Sequence, residues 1–141
     1  MMTAPQEHEE QTMAHGQSEV SIERSPDDIW KLIREYGELA DYMPGVESCT
    51  LDGDVRTLQM MGIEIKEQLR SIDDQNRRLT YSVVESPMSN MVSHEATIAI
   101  DPEGRGSHVT WSVDVEPADL LPIFQGAYDN AVSALKTKFE S

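Results

Sequence analysis

The chain has 141 residues, the length of one domain with a single sizeable core. Its 26 acidic residues outnumber 11 Lys plus Arg, and the net charge of −15 repels phosphate backbones and anionic headgroups, which excludes nucleic-acid binding and electrostatic membrane docking. Hydrophobic residues at 38% against 26% charged give the balance of a soluble globular protein rather than a disordered one.

Residues 1–17, "MMTAPQEHEEQTMAHGQ", hold no Ile, Leu, Val or aromatic residue and read as a flexible acidic tail before a domain over 18–141. The stretch has neither a basic region nor an apolar run, so it is not read as a secretory signal. His8 and His15 beside Glu7, Glu9 and Glu10 form a loose metal-binding pattern, for which a solvated tail is the simpler account. No apolar run approaches a membrane span, so a cytoplasmic protein without integral membrane association is expected.

From Ser18 the pattern sharpens. "SEVSIER" alternates with Val20 and Ile22 on one face, as a strand does. "SPDDIWKLIREYG" predicts a helix: Ser25 as N-cap, Pro26 at the first position, Asp27 and Asp28 at the positive end of the dipole, and Gly37 at C′. "ELADYMPG" predicts a short second helix stopped by Pro44. Six alternating runs follow, "VESCTL", "VRTLQM", "IEIKEQLRSI", "RRLTYSVVE", "MVSHEATIAI" and "HVTWSVDVE", separated by turns rich in Gly, Pro, Asp and Asn. Neighbouring antiparallel strands are the simplest topology for them. The last element is a long helix that Asp119 can cap. Phe124, Tyr128, Ala131, Val132, Leu135 and Phe139 recur there at helical spacing. Ala127, Ala131 and Ala134 keep its middle small, either for close packing on the sheet or to leave space.

Strand, two short helices, six strands and a long helix is the order of the helix-grip fold. With "SPDDIWKLI", "YMPGVESC", "EQLRSIDDQNRRLTYSV" and "GSHVTWSV", the chain resembles the START-like (SRPBCC) superfamily, also called Bet v 1-like, and within it the polyketide cyclase/dehydrase and lipid-transport group. The resemblance runs from about Ser18 to Phe139 and implies an α+β fold. Its seven-stranded curved antiparallel sheet would wrap around the long C-terminal helix, leaving a cavity that receives a hydrophobic or amphipathic small molecule.

Alternation nominates the cavity residues. Glu67 interrupts the apolar series of Ile63, Ile65 and Leu69; Tyr81 stands between Leu79 and Val83; His94 heads Ala96, Ile98 and Ile100. Glu47 precedes Cys49 and Leu51, and Val109, Trp111, Val113 and Val115 form one apolar face. Side chains on paired strands stand about 5 Å apart when opposite and about 7–8 Å on the diagonal, so a polar row across three strands is feasible. Each member also has a plainer account. Glu67 pairs with Arg70 or another basic side chain; His94 lies in water at the rim; Tyr81 belongs to the core; Glu47 is solvated.

The ligand-binding set expected is Glu47, Cys49, Ile65, Glu67, Tyr81, Val83, His94, Ala96, Trp111, Phe124, Ala127, Tyr128 and Ala131. Within it Glu67, with His94 and Tyr81, is the candidate acid–base group, since a carboxyl facing an apolar cavity tends to hold its proton. The resemblance adds that Glu67 matches a cavity glutamate of the plant abscisic-acid receptors and that His94 falls near a cavity tyrosine. Glu47 stands where those receptors place a lysine that meets the ligand's carboxylate, which points to a neutral ligand. Their proline-containing gate loop and their latch are absent.

Three functions remain: a carrier of a lipid, polyketide or terpenoid; a cofactor-independent cyclase, aromatase or dehydratase; and a protein-interaction module. Cys49, the only cysteine, excludes an intrachain disulfide and a cysteine-based zinc site. No cofactor or metal is expected, and the ligand's identity and the oligomeric state are open.

Overall fold

The computed structural model describes residues 13–88 and 90–141. β1 (Ala14–Ile22) leads into α1 (Pro26–Ile33) and a 3-10 helix, Tyr36–Asp41. Six strands follow: β2 (Val46–Asp52), β3 (Val55–Met60), β4 (Ile63–Asp73), β5 (Arg78–Glu85), β6 (Ser93–Glu103) and β7 (Gly106–Glu116). A 3-10 turn at Ala118–Leu120 precedes α2 (Leu121–Glu140). The strands form one seven-stranded antiparallel sheet in the order β1-β7-β6-β5-β4-β3-β2, the α+β helix-grip arrangement expected.

β1 begins at Ala14, so residues 14–17, assigned above to the tail, pair with β7 from Ala14/Val115 onward. Backbone pairing needs no apolar side chain, and composition alone does not register it. His15 accordingly stands on the sheet with its Nδ1 2.8 Å from Asp114 Oδ1; His8 and the acidic residues around it lie outside the described residues.

α1 starts as its sequence dictates. Ser25 has extended dihedrals and its Oγ accepts from the Asp28 N–H at 3.2 Å, with Pro26 following it. Ile29, Trp30 and Ile33 are buried against the sheet. Trp30 Nε1 and Arg34 Nε both donate to Asp74 Oδ1, at 2.9 and 2.7 Å, which ties α1 to the β4–β5 turn.

Two helix-end expectations are corrected. Gly37 is not a C′ residue, because α1 ends at Ile33 and Gly37 lies inside the 3-10 helix. A Cβ there would stand 3.3 Å from that of Leu51, so its bareness lets this helix lie close on β2. Asp119 does not cap α2, since that helix continues from a 3-10 turn and its N-cap, Leu120, is already in the right-handed helical region.

α2 buries Phe124, Tyr128, Ala131, Val132 and Leu135, the stripe predicted, and packs on β1 and β7. Its polar side chains also cover the outer edge of β1. Gln125 Nε2 donates to the Gln17 carbonyl at 2.8 Å and Lys136 Nζ to the Ser21 carbonyl at 2.7 Å, which blocks edge-to-edge pairing there. No described helix is long and apolar enough to cross a membrane.

Ser25→Ala removes the acceptor at the start of α1 and is expected to cost about 1 kcal/mol in urea denaturation, with the folded spectrum unchanged.

Candidate functional site

β3 and β4 are joined by Met61 and Gly62, with φ of 52° and 82°. Two residues of positive φ make the tight turn that suits a twisted hairpin, and a two-residue turn sets the register of the whole pair. Met60 therefore faces Ile63, and further along Arg56 stands directly across from Glu67. Arg56 shares its face with Leu58 and Met60, so the hairpin carries an arginine and a carboxylate into an otherwise apolar layer. Arg56 is 1% exposed and Glu67 6%.

The pair is enclosed by tyrosines. Arg56 Nε donates to Glu67 Oε1 at 2.8 Å, and Nη2 lies equally near the same oxygen without hydrogen-bond alignment. Nη1 donates to the Tyr36 carbonyl at 3.0 Å, and the Tyr36 hydroxyl donates to the Glu67 carbonyl at 2.9 Å. The guanidinium lies 4.0 Å from the Tyr36 ring centre and 4.7 Å from that of Tyr81, a cation between two aromatic rings. Burial pushes the Glu67 carboxyl up, and Arg56 opposes it. Burial also works against the Arg56 charge, but Glu67 and the surrounding tyrosines outweigh it and raise its pKa. Arg70, the partner named from the sequence, sits in a β4 bulge between Leu69 and Ser71, and its Nε donates to Ser82 instead.

Behind Glu67 lies a second polar group. The β5–β6 ladder runs from Arg78/Ala99 only as far as Tyr81/Ala96. Where the strands part, the Val83 N–H has no ladder partner, and His94 Nδ1 accepts it at 3.1 Å. His94 Nε2 meets Tyr128 Oη at 3.1 Å, Tyr81 Oη donates to Tyr128 Oη at 2.9 Å, and Trp111 Nε1 donates to Tyr81 Oη at 3.1 Å. Burial lowers the His94 pKa to about 4, so the ring is neutral near pH 7. Burial raises the Tyr81 and Tyr128 hydroxyls well above the usual range and keeps them protonated.

Between β3, β4, β5 and the first half of α2 opens a cavity of about 520 Å³. Met43, Leu58, Met60, Ile65, Val83, Met88, Phe124 and Ala127 form apolar walls, and Glu67, Tyr128 and Asn130 are the polar groups on it. Met61, Ile63 and Ile123 are exposed at its rim. A depression of about 390 Å³ on the outer surface, lined by Arg70, Ser82, Ser93, His94 and Glu95 among others, is more open and more polar. Apolar enclosure with few polar groups is the usual form of a small-molecule site.

Of the residues nominated from the sequence, Ile65, Glu67, Val83, Phe124, Ala127 and Tyr128 line this cavity. Tyr81, His94 and Trp111 stand behind the wall, joined to it through Tyr128; His94 is 4% exposed rather than at a wet rim. Ala96 and Ala131 are core residues. Glu47 is the extra residue of a β2 bulge between Val46 and Ser48, which breaks the alternation and leaves it exposed. Cys49 is half-buried away from the cavity wall. Arg56 was not named, although a basic partner for Glu67 was expected, and it is this residue that pairs with the carboxylate. No group of three or more His, Cys, Asp or Glu that could hold a metal occurs among the described residues.

A family model described as polyketide cyclase / dehydrase and lipid transport matches residues 13–140. No curated protein matches the chain. Among solved structures, the protein XoxI from Bacillus cereus is 29% identical, with 89% of this chain and 95% of that one covered and a TM-score of 0.84. Norcoclaurine synthase from Thalictrum flavum, solved with dopamine and hydroxybenzaldehyde, is 19% identical over 98% of this chain and 92% of that one, with a TM-score of 0.73. Major latex-like protein 151 from Panax ginseng is 18% identical over 92% and 99%, with a TM-score of 0.74. At these last identities the likeness is one of fold.

Arg56→Met leaves a carboxylate buried without its partner and is expected to cost about 3–5 kcal/mol, whereas Arg56→Met with Glu67→Leu recovers most of that loss; urea denaturation of both checks it. His94 binds a proton less readily folded than unfolded. Stability should therefore fall as pH drops from about 6.5 toward about 4, by up to about 3 kcal/mol, and His94→Gln should flatten that slope in denaturation measured across the range.

Proposed function

The chain belongs to the polyketide cyclase / dehydrase and lipid transport family, and from that membership we propose that it binds a neutral hydrophobic or amphipathic small molecule of lipid, polyketide or terpenoid type, as a carrier or binding protein. The cavity between the sheet and α2 carries this reading. Its apolar walls would hold the guest's carbon skeleton, and Glu67 and Tyr128 would orient it. Glu67 beside the guest and a chain charge of −15 both disfavour an anionic ligand.

A second reading, catalysis of a cyclase or dehydratase type, draws on one observation. Arg56 engages only Oε1 of Glu67, and no hydrogen bond from the described residues holds Oε2, which leaves an acceptor for a proton at the cavity wall. His94 and Tyr81 would then support Tyr128 rather than touch the guest.

The test is native mass spectrometry after incubation with a small-molecule extract of the source organism, comparing what enters with what the denatured protein releases. A retained apolar compound, unchanged on release and lost from Ala127→Trp, is the expected result. Release of a dehydrated or cyclised product by the wild type, but not by Glu67→Gln, would favour the enzyme. Absence of any retained compound would refute the binding reading.

A further inference from the structure

The hydrogen-bond chain behind the cavity holds more protons than contacts. Trp111 Nε1–H is a donor only, and it is spent on Tyr81 Oη. His94 Nδ1 accepts the Val83 N–H and so bears no proton; in the neutral ring the proton is on Nε2 and is spent on Tyr128 Oη. One contact remains, between the Tyr81 and Tyr128 hydroxyls, and it uses one of their two protons. Whichever way the hydroxyls turn, one O–H proton has no acceptor among the described residues. With Tyr81 donating, that proton is the one on Tyr128.

Tyr128 is the member of this chain that lines the cavity; Tyr81, Trp111 and His94 do not. It is 3% exposed, and Trp111 stacks on its ring at 4.8 Å and 15°, so the hydroxyl cannot swing out to bulk water. A buried donor without an acceptor is costly, and a guest that supplies one removes that cost.

We propose that the Tyr128 hydroxyl is the polar anchor of the cavity and selects guests that carry a carbonyl oxygen: neutral apolar ketones, aldehydes or esters rather than plain hydrocarbons. This rests on the binding reading above and adds the functional group the guest must bear. A carboxylate would also accept the proton, but Glu67 on the same wall repels it. Trp111, Tyr81 and His94 act as positioning residues, directing their protons so that the one on Tyr128 is left for the guest.

The test is equilibrium dialysis of acetylnaphthalene and ethylnaphthalene, which share a ring system and chain length and differ in the carbonyl, against wild type and Tyr128→Phe. The ketone should bind the wild type more tightly than the hydrocarbon. Tyr128→Phe should weaken the ketone about tenfold and leave the hydrocarbon within about a factor of two. Equal loss of both, or no loss for the ketone, overturns the anchor and leaves the cavity reading standing. Failure of both probes to bind the wild type overturns both. Since Tyr128→Phe also strips an acceptor from His94 and Tyr81, the wild-type complex supplies a second readout. The infrared carbonyl stretch of bound, carbon-labelled acetylnaphthalene should lie below its position in an alkane; a stretch at the alkane position refutes the hydrogen bond.

Discussion

The Arg56–Glu67 pair is the constraint around which this sheet is arranged. A charge taken out of water is costly unless it is paired and its remaining donors are satisfied. Here that requirement reaches three elements at once. The β3–β4 hairpin brings the two residues face to face, the 3-10 helix supplies the Tyr36 carbonyl and ring, and β5 supplies the Tyr81 ring. Each would satisfy part of the guanidinium; together they leave little freedom in where that 3-10 helix sits on the sheet. By itself the pair is a weak source of stability; what it adds is a set of contacts that joins the hairpin, the 3-10 helix and β5.

The two polar systems of the interior are built on opposite principles. Around Arg56, Nε donates to one carboxylate oxygen and Nη1 to the Tyr36 carbonyl, and no hydrogen bond from the described residues reaches the other oxygen of Glu67. Around Tyr128 the donors exceed the acceptors. Tyr81 belongs to both systems, through its ring on one side and its hydroxyl on the other, so an acceptor-rich and a donor-rich group reach the same cavity wall. Apolar side chains elsewhere on that wall provide volume but little direction. The polar side chains on that wall are Glu67, Tyr128 and Asn130.

The fold was legible almost throughout because its signals are local. Alternation, turn residues and the capped helix after β1 name the elements, and short connections leave few topologies. The site was legible only where alternation is unbroken. Glu67, Val83, Phe124 and Tyr128 follow their periodic faces to the cavity. Glu47 does not, because the bulge after Val46 shifts the phase by one residue, and a bulge has no mark in a run such as "VESCTL". Arg56 could have been found. The two-residue Met61-Gly62 turn sets the hairpin register, and counting outward from it places Arg56 opposite Glu67, but only once the turn length is taken as given. His94 fell on the right face; its partner, an orphaned backbone N–H, exists only because two strands part, a tertiary event that no local pattern records.

That parting divides the sheet. β1, β7 and β6 pair along their full lengths and carry α2, whereas β2 to β5 form a second leaf joined to the first through the short run from Arg78/Ala99 to Tyr81/Ala96. The cavity lies between the helix of one leaf and the inner face of the other. The strands that wall it and the strands that carry the helix thus meet only through that short run of pairs. His94, lodged in the open end of the seam, ties the two leaves there: it stands on β6 and accepts the Val83 N–H of β5.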